Sequence, residues 1–148
     1  ENVNSIAHAH PMYGKTFSTL GKVLDPISQD SCAFYERTAM FADYDGVANG
    51  PDEGINIAKA LDDKDFVILQ NHGILTTGTM VDTTIWYFLN MEDACKSQLL
   101  AEAVGKPIVI PHDTACATRD YVANDLSAYV SFQPTIDVLW EEEPDLLD

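Results

Sequence analysis

Residues Phe66-Val67-Ile68-Leu69-Gln70 form an apolar run with almost no polar alternation. A strand wetted on one face alternates apolar and polar residues, whereas a run without alternation is covered on both faces. The chain must therefore build a sheet with packed layers above and below it. The flanking segments supply helices for those layers. Pro51 opens one, with Gly54, Ile57, Ala58 and Leu61 as its inner face. Another runs to about Val104, with Val81, Ile85, Phe88, Leu89, Cys95 and Leu99 at helical spacing. Thr79 and Asp82 resemble a capping box at its start, and Gly105 stops it.

The rest of the chain alternates strands and helices in the same way. Residues 5–10 read as a short buried strand, and Pro11 suits the first position of a helix that ends at about Leu20, before Gly21. Ser28 to Ala33 is a helical turn, Phe34 to Phe41 a strand, and Ala42 to Gly50 a turn-rich stretch. A polar turn at residues 62–65 precedes the apolar run, and Ile74 to Thr77 continues as a strand after a turn at Gly73. Beyond the long helix, Pro107 to Ile110 is extended, Asp113 to about Val130 helical, and a last helix follows Pro134. Helices on the faces of one sheet give an α/β fold of four or five strands. Such a sheet is thin for so many helices, and the chain opens on Glu1-Asn2-Val3-Asn4 with no initiator methionine. Further sheet is expected upstream, residues 1–148 being a single domain truncated at its N-terminus.

Composition narrows the class of partner. With 46% hydrophobic and 22% charged residues in 148, the chain is globular, and no stretch approaches the roughly 20 apolar residues of a membrane span. The net charge of −16 repels a phosphate backbone, which argues against nucleic acid and otherwise favours solubility. Cys32, Cys95 and Cys116 are odd in number and contain no CxxC pair, so buried, reduced thiols in a cytoplasmic protein are expected. Cys95 reads as core.

Three of the four histidines end apolar runs. His8 and His10 close Asn4-Ser5-Ile6-Ala7-His8-Ala9-His10, and His72 follows the central strand in Asn71-His72-Gly73. In a strand, residues i and i+2 share a face with Cβ atoms about 6.5–7 Å apart, close enough for two imidazoles to meet on one ion. If the two strands finish side by side, His72 supplies a third ligand. Three protein ligands with one open position is the pattern of catalytic zinc. His112, beside Pro111 in a loop-like stretch, reads as solvated.

These two histidine motifs, Val-Asn-Ser-Ile-Ala-His-Ala-His and Phe-Val-Ile-Leu-Gln-Asn-His-Gly-Ile-Leu-Thr-Thr-Gly, resemble the class II aldolase/adducin family. The likeness extends through Gln98-Leu99-Leu100-Ala101-Glu102-Ala103 to the terminal Glu143-Pro144-Asp145-Leu146-Leu147. It implies a three-layer α/β/α sandwich around a largely antiparallel sheet. It also implies a divalent ion, typically Zn2+, on His8, His10 and His72, and homo-oligomers, commonly tetramers. The family's enzymes act on small hydroxylated carbonyl compounds as aldolases, epimerases, dehydratases or decarboxylases. Their shared chemistry is enolate or enediolate stabilisation. The family's phosphate loops and acid/base glutamate precede the His-x-His motif, so both are expected upstream of Glu1. Nineteen residues past His10, where the sugar-phosphate aldolases carry a proton-donating tyrosine, stands Gln29, with Asp30 beside it. Gln29, Asp30 and Tyr13 are the candidates for substrate contact, although Tyr13 and Tyr35 each also suit a core position. A metal-dependent lyase is the leading expectation. The alternatives are a non-catalytic, adducin-like interaction module and a purely structural metal site.

Overall fold

The apolar run becomes an inner strand of a four-stranded sheet, with every residue of Phe66–Leu69 buried. The computed structural model describes residues 3–43 and 51–147. The elements are β1 (Ser5–Ala9), α1 (Met12–Ser18), a 3-10 turn (Ser31–Phe34), β2 (Thr38–Phe41), α2 (Pro51–Leu61), β3 (Phe66–Leu69), β4 (Gly73–Gly78), α3 (Val81–Val104), α4 (His112–Val122), α5 (Asp125–Glu142) and a closing 3-10 turn (Pro144–Leu147). The strand order is β1-β4-β3-β2. β4 pairs antiparallel with both β1 and β3, and β2 pairs parallel with β3. Among the described residues, no helix is long and apolar enough to cross a membrane.

Alternation along β3 builds the three layers. Phe66 and Ile68 face a cluster with Phe17 of α1, Phe34, Ile74, Tyr87 and Met91 of α3, and Ala128 of α5. Val67 and Leu69 face the opposite way, onto Phe41, Leu75, and Ile57, Ala60 and Leu61 of α2. Each fully buried Val, Leu, Ile, Phe or Met among them contributes about 1.5–3 kcal/mol. The expected α/β/α sandwich with a largely antiparallel sheet is thus the observed one.

Local expectations differ from the fold at several points, each for a physical reason. β1 is only half covered, with Ile6 63% exposed, because it is a sheet edge and α2 packs at the other end over β2 and β3. β1 and β3 are not neighbours, since β4 lies between them. Pro11 is the N-cap of α1 and not its first helical residue. Phe34 belongs to the 3-10 turn, so β2 starts only at Thr38. The inner face of α2 uses Ala60, whereas Gly54 and Ala58 are exposed. Residues 44–50 of the turn-rich stretch lie outside the described residues.

The α3 stripe is also rotated from its expected phase. Thr84, Tyr87, Met91, Cys95 and Gln98 are buried, while Val81 and Leu89 are exposed. This helix packs on the sheet, α1 and α5 at once, so apolar residues surround it and the phase of a single stripe is not determined. Its capping box does not form. Met80 is the N-cap, Thr79 Oγ1 donates to Asp125 Oδ2 at 2.7 Å, and Thr84 Oγ1 donates to the Met80 carbonyl at 2.9 Å. The last two helices divide at Asn124, whose side chain accepts from the Ser127 N–H, and Pro134 lies inside α5.

Candidate metal centre

His8 and His10 reach their positions because β1 ends against the start of β4. Ala9 pairs with Ile74 and His8 with Leu75, so His8 projects from the face that Leu75 shares with α2. His72 sits in the turn between β3 and β4, where its N–H donates to the Leu69 carbonyl at 3.0 Å. Asn71 holds this turn with a φ of 57°. Gly73 completes it, since a Cβ there would lie 2.5 Å from the Ala9 carbonyl oxygen and 3.1 Å from His10 Cδ2. A side chain at residue 73 would push the end of β1, and His10 with it, away from the turn.

The three imidazoles converge. Ring centroids lie 5.1 Å apart for His8 and His10, 5.0 Å for His8 and His72, and 4.5 Å for His10 and His72. One ring nitrogen from each falls within 4.8 Å of the other two. Nδ1 of His8 stands 2.9 Å from the Ile74 carbonyl oxygen, which only accepts, so Nδ1 carries the proton and Nε2 presents a lone pair. A ligand histidine usually has its second nitrogen anchored in this way. Partial burial, then the neighbouring His8 and His10, hold the His72 imidazole below its ordinary range, with Glu53 opposing. A neutral imidazole is the form that binds a metal. His8 and His10 are exposed and His72 is half-buried, so the group is open to an incoming ion.

The segment after His10 is fastened by a residue that sequence reasoning passed over. Glu92 of α3 accepts the Tyr13 N–H at 2.9 Å and the Gly14 N–H at 2.5 Å. These are orphan donors in the first turn of α1, which has no side-chain cap of its own. No local spacing could reveal this contact, which joins residues 78 apart. Gly14 allows it, because a Cβ there would meet Ile74 at 3.1 Å and Glu92 at 3.2 Å.

The other expected site residues fall elsewhere. Gln29 and Asp30 line a cavity of about 210 Å³ with Trp86, Asn90, Tyr121 and Ser131, and none of the three histidines lines it. Tyr13 packs against the core beside α3, with Lys96 Nζ 5.3 Å from its ring centroid. His112 is not simply solvated, since its Nδ1 lies 3.1 Å from the Tyr35 hydroxyl.

The family model for the class II aldolase and adducin N-terminal domain matches residues 1–99. The chain belongs to the class II aldolase/adducin family. It is 36% identical over 145 residues to decarboxylase NovR of Streptomyces niveus, covering 98% of this chain and 54% of that protein. It is 39% identical over 132 residues to the meiotically up-regulated gene 14 protein of Schizosaccharomyces pombe, covering 87% and 51%. The solved L-fuculose 1-phosphate aldolase of Glaciozyma antarctica superposes with a TM-score of 0.88 at 38% identity, covering 97% of this chain and 54% of that one. The chain thus spans about half the length of these relatives. Class II aldolases typically depend on a divalent metal, and His8, His10 and His72 are a possible ligand group of this member.

Proposed function

We propose that this class II aldolase family member serves a lyase-type enzyme as its metal-binding part, with Zn2+ or a similar divalent ion held by His8, His10 and His72. The observation that carries the reading is the convergence of three imidazoles at 4.5–5.1 Å between centroids. A bound ion supplies Lewis-acid stabilisation of the negative charge that an enolate- or enediolate-forming reaction places on a carbonyl or hydroxyl oxygen. The chain's own residues prepare the site for it. Ile74 fixes the His8 tautomer, Gly73 lets His10 approach the turn, and Glu92 anchors the start of α1 just after His10. Because three histidines leave a fourth position open, a small hydroxylated carbonyl substrate has room to bind.

Gln29 and Asp30 are proposed substrate contacts through their own polar and aromatic cavity, which none of the three histidines lines. Decarboxylase and aldolase are the activities named for NovR and for the Glaciozyma protein. Both are lyase activities, the reaction class proposed here for this chain. A homo-oligomer, possibly a tetramer, is the proposed assembly.

Metal analysis of the purified protein is the direct test. Close to one equivalent of Zn2+ or a similar ion is expected at the triad, and that equivalent should be lost in His8→Ala and His72→Ala. A metal content that both substitutions leave unchanged overturns the proposal and favours the non-catalytic, adducin-like role.

A further inference from the structure

A second group of ligand-type side chains lies where α4 meets the segment that precedes β2. His112 and Cys116 are four residues apart on α4, so they share one face of the helix. Cys116 Sγ lies 3.8 Å from both His112 Nδ1 and Nε2. Glu36 reaches the pair from the other side, with Oε1 3.7 Å from His112 Nδ1 and Oε2 3.7 Å from Cys116 Sγ. The Glu36 backbone has a φ of 59°, a left-handed conformation that an L-residue adopts at a cost. Arg119 Nη1 holds Oε2 at 3.3 Å and also lies 3.4 Å from the Tyr35 carbonyl oxygen.

The spacing suits a small cation. Bonds of about 2.0–2.1 Å to imidazole or carboxylate and about 2.3 Å to thiolate place tetrahedral ligand atoms roughly 3.3–3.6 Å apart. The Cys116 Sγ separations, 3.8 Å to His112 Nε2 and 3.7 Å to Glu36 Oε2, exceed this by a few tenths of an ångström, within reach of side-chain rotation. The donor set of one nitrogen, one sulfur and one oxygen favours a borderline-soft ion of the zinc type over magnesium or calcium. The residues are accessible, with the His112 side chain 60% exposed and that of Glu36 50% exposed.

We infer that Glu36, His112 and Cys116 form a second divalent-cation site of zinc type, separate from the histidine triad, which ties α4 to the segment before β2. Tyr35, with its hydroxyl 3.1 Å from His112 Nδ1, engages that nitrogen and leaves Nε2 as the ligand atom. Binding exchanges the Cys116 thiol proton for the ion, so a proton leaves to solvent and no redox partner is needed. Partial burial and Glu36 push the thiol up while Arg119 opposes them, so the uncharged thiol is the resting form.

The two sites differ in one chemical respect that an experiment can read. The triad is all imidazole, whereas the second group contains a thiolate. Titration of the metal-free chain with Co2+ should therefore produce a near-ultraviolet thiolate-to-cobalt charge-transfer band. The band should disappear in Cys116→Ser and in His112→Ala, weaken in Glu36→Gln, and persist in His8→Ala and in Cys32→Ala. Circular dichroism should show each variant folded. A wild-type chain without the band overturns the inference, as does a band that survives either Cys116→Ser or His112→Ala. The His8→Ala arm keeps this result independent of the triad.

Discussion

The Glu92 carboxylate accepts the backbone N–H of Gly14 at 2.5 Å, so α3 caps α1 from 78 residues away. The cap lies just past His10, and fixing it fixes where β1 stops. Glu92→Ala leaves the Tyr13 and Gly14 donors without their acceptor, at an expected loss of about 1–3 kcal/mol. Urea unfolding measures that loss. Zinc titration should show weaker binding as well, and Glu92→Gln, which keeps one accepting oxygen, should fall between wild type and Ala.

Gly73 and Gly54 make a matched pair. A Cβ at Gly73 would meet the Ala9 carbonyl oxygen at 2.5 Å, whereas one at Gly54 meets nothing within 4 Å. Gly73→Ala should destabilise by about 1–3 kcal/mol through overpacking and weaken metal binding. Gly54→Ala, in a helix interior, should instead stabilise by about 0.5–1 kcal/mol and leave metal binding unchanged. Thermal unfolding with and without zinc reports both effects.

Removing the metal should lower stability by a calculable amount. An ion that binds only the folded chain and is present at 100 times its Kd adds about 2.7 kcal/mol. A chelator should therefore lower the Tm of the wild-type chain. In His10→Ala the chelator-induced drop should shrink, because one ligand of the triad is missing.

The thiols should separate by reactivity. Burial pushes the Cys95 thiol up to about 12, and Cys32 is buried and raised as well. Cys116 is half-buried at the surface. Alkylation of the native chain near neutral pH should modify Cys116 first, and Cys95 only after denaturation, as peptide mass analysis would show.

The acid limb of the stability curve should carry a contribution from Glu102. Lys22 and Gln98 hydrogen-bond its carboxylate and hold it below the usual carboxylate range. A carboxylate lowered by folding stabilises above its unfolded value of about 4.3, and the benefit disappears as the pH falls through the folded value. Glu102→Gln should flatten the stability profile in that acid region and leave the slope at neutral pH unchanged.

What the sequence revealed follows the range of the physical signals. The lack of alternation in Phe66–Leu69 reports burial on both faces directly, and β3 has both. His8 and His10 at strand spacing, and His72 before a glycine, are local patterns, and the fold brings them together. The neighbour of β1 was not legible, because no local pattern names a strand's partner and only tertiary pairing inserts β4 between β1 and β3. The phase of α3 was lost because three partners surround it. Glu92 and Glu36 act across long stretches of sequence, where no periodicity marks them. His112 reads as solvated because its partner Glu36 lies far away in the chain, where local sequence does not place it beside His112 and Cys116.

The position of β1 at the sheet edge has a kinetic consequence. β3 and β4 join through a tight turn, while Ser5 and Gly78, which pair across β1 and β4, are 73 residues apart. Closing the longer loop costs more chain entropy, so β1 is expected to dock late, onto a hairpin that has already formed. On that order the histidine triad would form only once β1 has arrived. An ion held there would brake the departure of β1 without hastening its arrival, so it would slow unfolding and leave the folding rate unchanged.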